Sequence, residues 1–247
     1  MKRKLEVCCY TAESAIIAEE AGADRIELCD NYSEGGTTPS FAVVKFCLEK
    51  LKIPVNVIVR PRGGDFLYSD SEYEIIKQDI IKLKEMSVNG IVTGFLNSDG
   101  EIDLEKTKET AELISPLEFT FHRAFDMCKD PFKVLEPLVN LGVNRVLTSG
   151  AKVDVDEGID NLIKLVKLAD NKISIMPGCG VTDKNLKTLI QRTDAVEYHS
   201  SAKTFVQSGM KFFNSDVTMG KKGSDEFKKI STDPDQIKRM INILKEN

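Results

Sequence analysis

The chain has no tryptophan and only two histidines in 247 residues. It also lacks any apolar run approaching the ~20 residues of a membrane-spanning helix, so no membrane partner is expected. There is no basic excess: 34 Lys and Arg stand against 39 Asp and Glu, a net charge of −5. That balance argues against nucleic acid or an anionic membrane surface as partner. The basic start Met1-Lys2-Arg3-Lys4 is followed by an apolar stretch already broken at Glu6, too short for a secretory signal. Six cysteines occur without a CxxC or a disulfide-framework spacing. Reduced thiols and a cytoplasmic location are expected. No linker, low-complexity stretch or block of like charge divides the chain, and residues 1–247 read as a single domain.

What is present is a repeat of apolar, strand-like runs separated by helical patterns. The runs are Leu5–Cys9, Arg25–Cys29, Val55–Arg60, Ile91–Gly94, Glu118–His122, Arg145–Thr148, Ile173–Met176 and Ala195–His199. Helix starts are marked by Thr11, Ser40, Asp103, Thr182 and the pairs Asp130-Pro131 and Asp233-Pro234. Ser71 with Glu74 reads as a capping box. Regular β-helix-β spacing implies parallel strands, because each return needs a crossover. Eight such units in a chain of this length predict a single (β/α)8 TIM barrel of the α/β class. A doubly wound sheet would want glycines after the first strand, and Cys9-Tyr10-Thr11-Ala12-Glu13 has none. The weakly periodic segment Ser200–Thr232 reads as a long loop after the last strand, serving as an oligomer contact or a flap over the barrel mouth.

Alternation along a strand sends one parity to the helices and the other to the barrel interior. The more uniformly apolar parity (Leu5, Val7, Cys9; Ile26, Leu28; Val55, Val57, Val59) is assigned outward. The interior then receives Glu6, Cys8, Arg25, Glu27, Cys29, Asn56, Ile58, Arg60, Thr120, His122, Thr148, Glu197 and His199. Branched apolar side chains normally fill that space, and a buried charge needs a partner. A satisfied ion-pair network is one reading. A site at the C-terminal mouth, where barrel enzymes work, is the other. Glu27, Arg60, His122, Glu197 and His199 are its candidate catalytic residues, with acid and base roles unassigned.

Three loops at strand ends carry glycine: Arg60-Pro61-Arg62-Gly63-Gly64-Asp65, Thr148-Ser149-Gly150 and Pro177-Gly178-Cys179-Gly180-Val181. Backbone amides at such turns favour anions. Arg62, Ser149, Gly150, Gly178 and Gly180 are therefore candidate anion-binding residues for a small anionic metabolite, phosphorylated ones among them. Cys8 and Cys29 share the inward parity on strands expected to be neighbours, ~4.8 Å apart. Two thiolates so placed suit a soft ion, Cu(I), with His122, Met127 and Met176 as further donors. Zinc fits less well, since no short-spaced Cys/His ligand set occurs.

Leu5-Glu6-Val7-Cys8-Cys9, Gly22-Ala23-Asp24-Arg25-Ile26-Glu27-Leu28-Cys29, Glu34-Gly35-Gly36-Thr37-Thr38-Pro39-Ser40, Arg60-Pro61-Arg62-Gly63-Gly64-Asp65-Phe66, Phe121-His122-Arg123-Ala124-Phe125-Asp126 and Leu147-Thr148-Ser149-Gly150 together closely resemble the copper homeostasis protein CutC family. The resemblance runs from near residue 4 to about residue 202, and more loosely beyond. It implies a cytoplasmic TIM-barrel protein concerned with copper, usually a homo-oligomer (a dimer or tetramer), and no settled catalytic mechanism. Its copper ligands would be cysteines, matched here by Cys8, Cys9 and Cys29. Cys179 stands where relatives often have a small residue.

Overall fold

A computed structural model describes residues 2–214, 216–217 and 225–246. Eight parallel strands, β1 Lys4–Cys9, β2 Arg25–Leu28, β3 Val55–Ile58, β4 Gly90–Thr93, β5 Glu118–Phe121, β6 Arg145–Thr148, β7 Ser174–Pro177 and β8 Glu197–Ser200, form one sheet. Its order follows the sequence from β7 down to β1, and β8 pairs with the other side of β1. β8 also packs beside β7 without a ladder between them, which nearly closes the ring. This is the expected TIM barrel. Helices α1 Ala12–Glu20, α2 Phe41–Lys50, α3 Asp70–Glu85, α4 Leu104–Ile114, α5 Ala124–Met127, α6 Leu135–Asn140, α7 Ile159–Ala169, α8 Leu186–Thr193 and α9 Pro234–Glu246 alternate with the strands.

The outward strand parity makes the main core. Leu5, Val7, Cys9, Ile26, Leu28, Val55, Val57, Ile91, Phe119, Phe121, Val146, Ile175 and Tyr198 are buried there against the helices. Each such aliphatic side chain contributes ~1.5–3 kcal/mol on leaving water. Thr11, Ser40 and Asp103 cap α1, α2 and α4 as expected, accepting from the amides of Ser14 (3.0 Å), Val43 (3.4 Å) and Lys106 (3.0 Å). The capping box lies two residues earlier than Ser71 and Glu74. Ser69 Oγ accepts from the Glu72 amide at 3.3 Å, and Glu72 Oε2 accepts from the Ser69 amide at 2.8 Å. Arg62 also grips Glu72, at 2.5 Å, so the earlier frame has a partner the later one lacks.

The segment after β8 is more ordered than a loop. Its two ends, β9 Lys203–Gln207 and β10 Lys228–Thr232, pair as an antiparallel ribbon. Positions 215 and 218–224 of the expected flap or oligomer contact lie outside the described residues. The root of the ribbon sits at the barrel mouth, where Lys203 Nζ donates to the Tyr32 hydroxyl at 2.8 Å.

Candidate functional site

The barrel floor is an alternating chain of charges. Arg25, at the start of β2, donates to Glu6 Oε2 at 2.5 Å and to Glu197 Oε2 at 2.9 Å. Arg145, at the start of β6, grips Glu197 through Nε and, at 3.1 Å, through Nη2. It also reaches Glu118 and Thr120, each at 3.1 Å. Asn56 donates to Glu6 at 3.1 Å. Burial alone would raise Glu6 and Glu197; the arginines outweigh it and hold both carboxyls low. Glu197, a candidate catalytic residue, therefore belongs to this floor and does not line the cavity above it.

Arg145 was missed from sequence, and Thr148 was placed inward wrongly. Along Val143–Thr148 neither parity is uniformly apolar, so alternation does not choose. The structure sends Arg145 and Leu147 inward and Val146 to the helices, and Thr148 shares Val146's side. The Thr148 hydroxyl donates to Asp126 on α5. The same carboxylate accepts from the Ser149 amide (3.0 Å), the Ser149 hydroxyl (3.0 Å), the Ala151 amide (3.0 Å) and Arg123 (2.8 Å). The Gly150 amide donates to Thr148 Oγ1 at 2.9 Å. The donors of Ser149 and Gly150 are thus taken by the protein's own groups.

Above the floor, His199 Nδ1 lies 2.8 Å from Glu6 Oε1 and its Nε2 lies 3.5 Å from Glu27 Oε2. Donor atoms of Cys8, Glu27 and His199 all lie within 4.8 Å of one another. Cys8 and Cys29 bring their sulfurs to 3.5 Å. The register explains this: Cys8 pairs with Glu27 on β2, so Cys29, two residues on, shares its face. Hydrogen bonding to Cys29, then to His199 and Tyr10, lowers the Cys8 thiol well below its ordinary value despite burial. Burial, then the neighbouring Cys8, raises Cys29. Burial and Cys8 also raise Glu27. Burial would lower His199, but Cys8, Glu6 and Glu27 raise it. The arrangement shifts Cys8 towards its thiolate and His199 and Glu27 towards their protonated forms. Tyr10, which lines the same wall, was not among the expected residues.

Cys8, Tyr10, Glu27 and His199 open into a cavity of ≈ 620 Å³ at the C-terminal mouth. Arg60 and His122 line its other wall, with Phe66 stacked 4.8 Å from the His122 ring and 5.1 Å from the guanidinium. Arg60 donates to the carbonyls of Glu34 (2.6 Å), Gly36 (2.8 Å) and Gly64 (2.7 Å). Among the described residues no carboxylate comes within 4.0 Å of it. Burial and then Arg60 lower His122 to about 3. Its Nδ1 accepts from the Ala124 amide at 3.3 Å, which places the ring proton on Nε2, a buried atom without a partner.

Gly180 lines the cavity; Gly178 does not. A Cβ at Gly178 would stand 2.4 Å from Leu147 and 3.2 Å from His199, so glycine there lets β7 approach β8. Arg62 is turned away, held by Glu72 and by Asp65 at 3.1 Å. Cys9 faces the helices and bonds the Val7 carbonyl at 3.5 Å. Met176 accepts from Arg25 at 3.5 Å, below the sulfur pair, while Met127 is an exposed residue of the rim. The structure thus gathers Cys8, Cys29, Glu27 and His199 on one wall and Arg60 and His122 opposite.

The sequence profile of the CutC family matches residues 3–204. A copper homeostasis protein cutC homolog from Homo sapiens is 46% identical over 244 residues, covering 98% of this chain and 89% of its own length. A family protein CutC from Parabacteroides distasonis is 46% identical over 243 residues, covering 98% of this chain and all of its own. The crystal structure of CutC from Streptococcus agalactiae superposes with a TM-score of 0.77 at 35% identity, over 81% of this chain and 98% of that one. Phosphoribosylanthranilate isomerase of Thermotoga maritima, at 13% identity and a TM-score of 0.60, shares the fold alone.

Proposed function

This chain belongs to the CutC family, and from that premise we propose that it is a cytoplasmic copper homeostasis protein that binds Cu(I) as cargo at the barrel mouth. The single observation that carries the reading is the 3.5 Å approach of the Cys8 and Cys29 sulfurs. A three-coordinate ion with metal–sulfur bonds of about 2.3 Å holds its sulfurs roughly 4 Å apart, so the pair opens by about half an ångström on binding. Two thiolates match a soft monovalent ion. His199 stands ready as third donor, within 4.8 Å of Cys8. Glu27, whose carboxyl is shifted towards its protonated form by burial and Cys8, is not needed as a ligand for Cu(I).

Anaerobic titration with Cu(I) against a chelating competitor tests this. One ion per chain is expected, lost on Cys8→Ser or Cys29→Ser; unchanged affinity in both variants rejects the site. A harder ion such as Zn(II) would recruit the Glu27 carboxylate, so Glu27→Gln weakens Zn(II) while sparing Cu(I).

A second reading rests on Arg60. A buried guanidinium that bonds only backbone carbonyls leaves a positive charge uncompensated at the cavity wall. It supports a small anionic metabolite as ligand, phosphorylated ones among them, with Glu27, His122 and His199 as acid–base groups and Gly178 and Gly180 in the adjoining loop. A thermal-shift screen with inorganic phosphate and phosphorylated metabolites reads it, because a ligand that binds only the folded state raises Tm. No shift across the panel removes the reading. Assembly as a homo-oligomer is supported by the exposed apolar residues Phe205 and Val206 on β9 and Met210, Phe212 and Phe213 in the segment after it.

A further inference from the structure

The two mouth cysteines differ in access. Cys8 lines the cavity; Cys29 does not. Cys29 sits behind it, under Gly36, among Ile58 and Val92. Gly36 has φ +103, a backbone conformation that favours glycine, and a Cβ there would stand in ordinary contact with the Cys29 sulfur at 3.5 Å, so this loop covers the thiol. Among the described residues Cys8 and Cys29 make the one hydrogen-bonded pair of cysteine sulfurs. Of the other four thiols, Cys9 bonds the Val7 carbonyl and Cys179 the Val153 carbonyl at 3.3 Å, while Cys47 and Cys128 are buried.

We propose that Cys8 and Cys29 form a redox couple that reduces small hydroperoxides, Cys8 as the attacking sulfur and Cys29 as the resolving one. The Cys8 sulfur attacks the terminal peroxide oxygen; the O–O bond breaks, a sulfenic acid forms on Cys8, and the thiol's proton leaves with the departing oxygen as an alcohol, or as water when the substrate is hydrogen peroxide. The Cys29 sulfur then attacks the Cys8 sulfur. The S–O bond breaks, the Cys29 proton leaves with the hydroxyl as water, and an S–S bond forms. Two electrons pass from the dithiol to the peroxide, and a low-molecular-weight thiol restores the pair. The second step needs the sulfurs to close from 3.5 Å to about 2.05 Å; because Cys29 is diagonal to Cys8 across β1 and β2, that closure draws on backbone movement after β2 as well as on side-chain rotation. An open cavity of ≈ 620 Å³ admits a small peroxide to Cys8.

This activity uses the same thiols as the copper reading but not its outcome. It is measured on metal-free protein, so a failure of either leaves the other standing. Fully reduced, metal-free protein is treated with a small excess of hydrogen peroxide without oxygen, and free thiols and peptide masses are followed in time. Two of the six thiols are expected to disappear together, in a cross-linked peptide pair joining residues 8 and 29 that is two hydrogens lighter. Cys29→Ser is expected to stop at a sulfenic acid on Cys8, captured by dimedone. Cys8→Ser is expected to slow thiol loss at least about tenfold. Oxidation falling first on Cys179, the most accessible thiol, overturns the proposal, as does wild-type thiol loss no faster than that of Cys8→Ser. The peptide map needs no variant, so a substitution that fails to fold leaves the test intact.

Discussion

His199 Nδ1 sits 2.8 Å from Glu6 Oε1, and Glu6 is itself fixed by Arg25 at 2.5 Å and Asn56 at 3.1 Å. This fastens the imidazole so that Nε2 faces Cys8 and Glu27. A ligating histidine whose other nitrogen loses its carboxylate partner typically costs 10–100-fold in metal affinity. Glu6→Gln is therefore expected to weaken Cu(I) by roughly 10–100-fold without touching either sulfur. Anaerobic competition titration of the variant reads this directly. Affinity equal to wild type would remove His199 from the ligand set.

The charge chain beneath the site predicts a stability effect. Arg145→Met leaves Glu197 with Arg25 alone. Stripping one partner from a buried ion pair typically costs about 3–5 kcal/mol. Urea unfolding near neutral pH should show a loss of that size. Glu6 and Glu197 both have depressed carboxyls. Their contribution is complete above about pH 4.5, the ordinary glutamate value, and is lost as pH falls below it. The variant should accordingly show a shallower acid loss below that pH than wild type.

The barrel, its strands and most inward residues are legible in the sequence because Leu5–Cys9, Arg25–Cys29 and Val55–Arg60 each have one uniformly apolar parity. That rule fails in the sixth strand, where Val143–Thr148 mixes polar and apolar residues on both sides. Arg145 was lost there and Thr148 misplaced. Strand parity also says nothing of height along the barrel. Glu197 and His199 share a face, yet one lies in the floor and the other in the mouth. Asp126 was hidden for a different reason. Apart from Arg123, its partners lie 22 to 25 residues ahead, at the end of the next strand and in its loop, and local spacing does not reveal a contact made by folding.

His122 yields a pH prediction of definite sign. Its folded pKa is lowered from 6.5 to about 3 by burial and by Arg60. Below pH 6.5 the unfolded chain binds a proton that the folded protein refuses, so stability falls with pH until about pH 3. From pH 7 to 5 the loss from this group is about 2 kcal/mol. His199, with a raised pKa, acts in the opposite direction and chiefly above pH 6.5, where its stabilisation is lost as pH rises. The comparison is therefore made with His122→Asn, which keeps His199 and removes only the His122 titration. Unfolding free energies of both proteins at pH 7 and pH 5 should differ in slope by about that amount. Parallel slopes would mean that His122 is protonated in the fold.

Asp126 accepts from Thr148, Ser149, Ala151 and Arg123, and its side chain is only 4% exposed. It ties the loop after β5 to the loop after β6, and it fills the amide cluster that a bound anion would otherwise use. Asp126→Ala removes the acceptor from several buried donors at once. Each donor left unpaired costs about 1–3 kcal/mol, with water entering the vacated space to offset part of it. A net loss of roughly 2–4 kcal/mol in urea unfolding is expected. The variant should also gain what the wild type lacks at this place: inorganic phosphate or sulfate entering the freed Ser149 and Ala151 amides beside Arg123. Added phosphate should then raise the Tm of Asp126→Ala by more than that of the wild type. Equal shifts would mean that the loop collapses once its carboxylate is gone, and that the cluster exists only because Asp126 holds it.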